Sequence, residues 1–242
     1  MKRHLSSFNT KSITKEARLT GLMYLVVIVC AGFSQGYVRA NLYIPGDAVA
    51  TATNIMENSG LFRLGLVSDL IAFILDAVIS VMFYQMLKPY GKTLALVSSS
   101  LRLLAHPAIG AINLLNHYMA LDVLAGMEMM TGFEVIEIQT LSLWFMNAHR
   151  YGYLLAGGFF GVHCLLLGFQ LTRSRLMPVF FGVAMMIAGV GYLMETFGDF
   201  LFPGNEVWLA WVVGLSAALG EVELTLYLLI KGVKSNPKTE NQ

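Results

Sequence analysis

Residues 61–87 read LFRLGLVSDLIAFILDAVISVMFYQML. Arg63, Asp69 and Asp76 are its only charges, and the rest is a continuous apolar run. About 20 such residues in a helix cross the roughly 30 Å of hydrocarbon in a bilayer. In lipid a lone segment must satisfy its own backbone groups, which a helix does and a single strand does not. The stretch therefore reads as a membrane-spanning helix.

Working outward, residues 19–38, 94–115, 151–171, 176–201 and 207–230 repeat the pattern, which predicts an all-α polytopic bundle of six transmembrane helices. Composition agrees: 56% of residues are hydrophobic and 13% charged, where soluble domains have about 45–50% and about 25%. Between the first two spans, Pro45-Gly46-Asp47 followed by residues 48–57 reads as a turn, an N-cap and a short surface helix. In residues 122–150, Phe133, Ile136, Thr140, Leu143 and Trp144 recur at helical spacing around Glu134 and Glu137, the pattern of a second interfacial helix. Fusing it to the fourth span would make a helix of about 34 residues, about 51 Å long at 1.5 Å per residue. That would put Asn147, His149 and Arg150 in lipid, so separate helices are expected.

All lysines and arginines except Arg39, Arg63, Arg102 and Arg150 fall at the termini or in the turns at 88–92 and 173–175. The positive-inside rule then places both termini in the cytoplasm. The expected divisions are a basic N-terminal segment 1–18, a membrane domain 19–231 and a disordered tail 232–242. The first apolar run lacks a convincing cleavage site and is read as retained. Cys30 and Cys164 lie in apolar runs as small buried hydrophobes. A net charge of +1 gives no reason to expect a nucleic-acid partner. No GxSxG, Walker or dinucleotide glycine pattern is present, and no cofactor is expected. Gly32 with Gly36, Gly157 with Gly161, and Gly182 with Gly189 form small-residue faces suited to close helix packing. Lipids are the expected partners, with a homo-oligomer left open.

Three stretches carry a family resemblance: GDAVATATNIMENSGLFRLGLVSDL from Gly46, FYQMLKPYGKTLALVSSSLRLLAH from Phe83, and GVHCLLLGFQLTRSRLMPVFFGVAMMIAGVGYL from Gly161. With their order and spacing, the chain resembles a family of bacterial multi-pass membrane proteins, the domain of unknown function 4386. The resemblance implies a membrane bundle in a bacterial inner membrane and assigns no reaction. The family pattern has Gly where Arg175 stands and a basic residue where Val179 stands, which touches the geometry of that turn.

The chemistry must come from charges inside the spans, since each is costly in lipid and is expected to face the interior. They are Asp69 and Asp76, Arg102 and His106, His163, Glu195, and Glu221 with Glu223. Counting from the span ends puts Arg102 at the depth of Asp76 on the adjacent helix, so an ion pair is expected. Five carboxyl groups would then share the interior with one fixed cation, Arg102, which suggests a proton, a metal ion or a cationic ligand as the balancing charge. Three readings stay open. In the first the buried polar cluster binds or passes a small solute or protons. In the second His106 and His163 hold a metal for lipid hydrolysis. In the third the protein is an accessory membrane component without chemistry of its own.

Overall fold

The computed structural model describes residues 2–234, with side chains described from residue 14. Residues 235–242, most of the expected tail, lie outside the described residues. The expected N-terminal segment is helical from residue 2 and continuous with the first span.

Helix α1 runs Lys2–Ala31, passes through a π-helical stretch Gly32–Arg39 and ends at Ala40–Leu42. Helix α2 is Ala48–Glu57, α3 Ser59–Leu87, α4 Lys92–Ala125, α5 Val135–Ser174, α6 Val179–Leu201 and α7 Glu206–Lys231. All but α2 are long and apolar enough to cross a membrane, with mean hydropathies of 1.3 to 2.2, and no strand occurs among the described residues. This is a six-span all-α membrane bundle.

The first and last spans meet the α5–α6 turn at one end of the bundle: Arg18 donates to the Ile230 carbonyl at 3.1 Å, and the Lys234 amide donates to the Leu176 carbonyl at 2.8 Å. Gln170 ties the α3–α4 turn to the same end by donating to the Gly91 carbonyl at 3.1 Å. Helix α2 lies at the opposite end. Its N-cap is as expected, with Asp47 Oδ1 accepting from the Ala50 amide at 2.9 Å. Its buried Ala52 and Ile55 pack with Leu124, Ile138 and Met146.

Helix α5 corrects the sequence expectation. The separate interfacial helix does not exist; Val135–Ser174 is one helix of 40 residues, about 60 Å long at 1.5 Å per residue. It starts on a capping box, with the Glu137 carboxylate accepting from the Glu134 amide at 2.8 Å. The polar residues that argued for a break face protein. Asn147 accepts from the Tyr43 hydroxyl at 2.5 Å, Arg150 pairs with Asp199, and His149 Nδ1 lies 3.1 Å from the Asn113 carbonyl.

At the α5–α6 crossing the two backbones approach closely. Gly161 and Gly168 on α5 oppose Gly189 and Gly182 on α6, and a Cβ at Gly189 would stand 2.7 Å from the Gly161 carbonyl oxygen. Gly157 faces Thr196 on the same helix pair. Gly32 and Gly36, by contrast, have nothing within 4 Å and mark no packing face within the chain.

Candidate functional site

Three π-helical stretches interrupt the spans, at Gly32–Arg39, Leu104–Gly110 and Ala218–Val222, and each delivers a polar side chain to the interior. The middle one surrounds Pro107, which lacks an amide hydrogen and whose ring crowds the preceding turn, so the helix widens there. His106 enters from this turn. Glu221 enters from the third, beside Gly220. In the first, Ser34 and Arg39 are five residues apart. An α-helix would set them about 140° apart, at about 100° per residue, but the i to i+5 spacing of a π turn stacks them, and Arg39 Nη1 donates to Ser34 Oγ at 2.8 Å.

At the centre of the bundle Arg102 is fully buried, and its Nε donates to Asp76 Oδ1 at 3.0 Å while Nη2 donates to the same oxygen. Asp76 Oδ2 lies 3.1 Å from His106 Nδ1. Arg102 Nη1 donates to the Tyr24 hydroxyl at 3.3 Å and is 3.3 Å from His163 Nε2. The guanidinium also stands over the Tyr24 ring at 4.4 Å and the Phe160 ring at 5.1 Å. Tyr24 in turn donates to Glu221 Oε2 at 2.7 Å, and Tyr192 donates to Glu221 Oε1 at 2.6 Å. On its other side His163 Nδ1 lies 2.8 Å from the Ser98 carbonyl. Since Arg102 can only donate, His163 Nε2 accepts from it, and the ring proton sits on Nδ1 facing the carbonyl. One network thus draws a side chain from each of the six spans.

The expected cluster divides. Asp76, Arg102, His106, His163 and Glu221 come together, whereas Asp69 belongs to a different pair: Arg39 Nη1 donates to Asp69 Oδ2 at 2.5 Å. Glu195 makes no hydrogen bond or ion pair among the described residues and lies toward Arg150 and Asp199, away from the network. The expected excess of interior carboxylates is reduced. Arg39 holds Asp69 as Arg102 holds Asp76, so two of the five interior acids are paired with arginine and Glu195, Glu221 and Glu223 are not; the Arg150–Asp199 pair lies nearer the surface, with the Arg150 side chain 32% exposed. His163 spends both ring nitrogens within the network, and no group of three His, Cys, Asp or Glu able to hold a metal occurs among the described residues. The donor set does not fit the metal reading.

Tyr24, Tyr192 and Ser98 were missed in the sequence. The usable signal for the tyrosines was a phenol in mid-span, where its hydroxyl requires a polar partner.

Comparison with known proteins adds a family. The family described as Domain of unknown function (DUF4386) matches residues 19–232. The chain belongs to it. A protein of Archaeoglobus fulgidus, described as uncharacterized, is 28% identical over 169 residues, or 70% of this chain and 84% of its own length. No solved structure matches significantly. Arg175 ends α5 at φ 57°, ψ 16°, the left-handed conformation in which glycine is at ease.

Proposed function

We propose that the network around Asp76, Arg102, His106 and Glu221 is an intramembrane proton-binding site through which the protein binds or passes protons. The observation that carries this reading is the hydrogen-bonded chain His106–Asp76–Arg102–Tyr24–Glu221–Tyr192, which joins two titratable ends through a fixed ion pair. Asp76 and Arg102 cancel, and His163 fits as a neutral ring. What remains is one carboxyl group, Glu221, and one imidazole, His106. The network is neutral when a single proton resides on either of them, so it has two places for one proton, one on each side of the fixed Asp76–Arg102 pair. Burial favours that neutral state, because an uncompensated charge in a medium of low dielectric is costly. His106 is the edge of the network, its side chain 19% exposed against 1% for Asp76. In this reading the protein sits in a bacterial inner membrane with both termini cytoplasmic, as the distribution of basic residues supports.

Proton flux into proteoliposomes, driven by a potassium diffusion potential and read with an internal pH dye, tests the proposal. Wild-type protein should exceed empty vesicles. Glu221→Gln should lose the excess, and Glu223→Gln should keep it, because Glu223 is half-buried on the same helix and outside the network. Wild-type flux no greater than that of Glu221→Gln would overturn the proposal.

A further inference from the structure

Between the central network and the α2 end lies a second buried group of polar side chains. Asp69 and His117 are wholly buried, His149 is 1% exposed and Arg39 8%. They form one cluster: the His117 and His149 ring centroids are 5.3 Å apart, His149 and Tyr153 5.1 Å, and the Arg39 guanidinium stands 4.9 Å from the Tyr153 ring centre. Arg39 holds Asp69 through Nη1.

Each of these five side chains also keeps one buried polar atom that meets hydrogen-bond geometry with no protein group: Arg39 Nη2, Asp69 Oδ1, His117 Nδ1, His149 Nε2 and the Tyr153 hydroxyl, which lies within interaction range of both Arg39 and Asp69. The tautomers of both histidines are set by backbone carbonyls. His117 Nε2 lies 2.9 Å from the Phe62 carbonyl and His149 Nδ1 lies 3.1 Å from that of Asn113, so the proton of each ring sits there. The free nitrogens are therefore lone-pair acceptors. Leaving one buried polar atom unsatisfied costs roughly 1–3 kcal/mol, and five together would rival the roughly 5–15 kcal/mol that holds a whole domain folded. Something must satisfy them. An anion would meet three acceptors, and a metal ion would meet a fixed arginine with no triad of ligands. Water both donates and accepts, and it needs only two to four polar partners.

We propose that Arg39, Asp69, His117, His149 and Tyr153 form a second internal site that holds ordered water, and that this water is the leg by which a proton reaches His106 from the α2 half of the bundle. The first part stands on the unpartnered atoms alone; the second rests on the proton reading above. Tyr153 is the joint between the two sites, its ring centroid 6.4 Å from that of His106.

Two measurements decide between the parts. In radiolytic hydroxyl-radical footprinting with mass spectrometry, His149 and His117 should be modified faster than Met185, which is equally buried and carries a more reactive thioether. Modification no faster than at Met185 overturns the water site. In proteoliposomes Tyr153→Phe should lower proton flux several-fold while changing the thermal midpoint little, since the lost hydroxyl meets hydrogen-bond geometry with no protein group. Wild-type flux in Tyr153→Phe beside lost flux in Glu221→Gln overturns the leg and spares the network. If wild-type protein conducts no more than empty vesicles, the proton reading and the leg fall together, and footprinting still decides the water site.

Discussion

Arg102 grips a single oxygen of Asp76, with Nε donating to Oδ1 at 3.0 Å and Nη2 donating to the same atom. Neither residue is solvated, so each is the other's principal compensation for leaving water. Removing one member of such a pair typically costs roughly 3–5 kcal/mol, while removing both can be nearly neutral. Arg102→Ala should therefore destabilise the detergent-purified protein more than Arg102→Ala combined with Asp76→Asn. Thermal unfolding of the single and double variants checks this, and losses that simply add would mean the residues act independently.

The α5–α6 crossing makes a sharper steric prediction. At Gly189 a Cβ would meet the Gly161 carbonyl oxygen at 2.7 Å and the Leu165 amide nitrogen at 2.9 Å, backbone atoms that cannot swing aside. Gly189→Val should cost at least the roughly 1–3 kcal/mol usual for overpacking. Gly36→Val, on a face with nothing within 4 Å, should change stability far less. Equal losses in the two variants would show that α5 and α6 do not approach so closely.

The turn after α5 offers a gain instead of a loss. Arg175 is the only non-glycine residue with positive φ among the described residues, and its side chain is exposed. A left-handed conformation costs an L-residue roughly 1–2 kcal/mol that glycine does not incur. Arg175→Gly should accordingly stabilise the protein by about 1 kcal/mol, seen as a higher thermal midpoint. An unchanged or lower midpoint would mean that the turn does not hold Arg175 in that conformation.

Where the sequence was legible, one physical regularity governed each segment. Apolar length located the spans, and counting depth from span ends was enough to match Asp76 with Arg102 because both lie in regular helix on adjacent spans. Reading failed where that regularity broke. Arg39 looked like a loop residue because the apolar run ends at Val38, and the π turn that stacks it on Ser34 leaves no apolar period to reveal it. His149 and Arg150 looked like lipid-facing defects in an overlong helix because their partners, Asn113 and Asp199, lie on other helices at sequence distances no local pattern reports. The division of the polar residues into two sites follows from those same misses.

The orientation of the bundle rests on charge, and the fold makes it testable at two exposed positions. Arg173, in the last turn of α5, lies at the end where Arg18 meets Ile230 and Lys234 meets Leu176, while Glu128 follows α4 at the α2 end. The basic residues collect at the first of these ends, which the positive-inside rule assigns to the cytoplasm. The native thiols interfere little: Cys164 is buried and Cys30 half-buried, and each can be replaced by Ala as a small apolar residue in a span. In that background a membrane-impermeant maleimide added to intact cells should label Glu128→Cys. It should reach Arg173→Cys only after the cells are opened. The opposite pattern would invert the bundle, moving the water-site half to the cytoplasmic side and reversing the direction from which His106 is loaded.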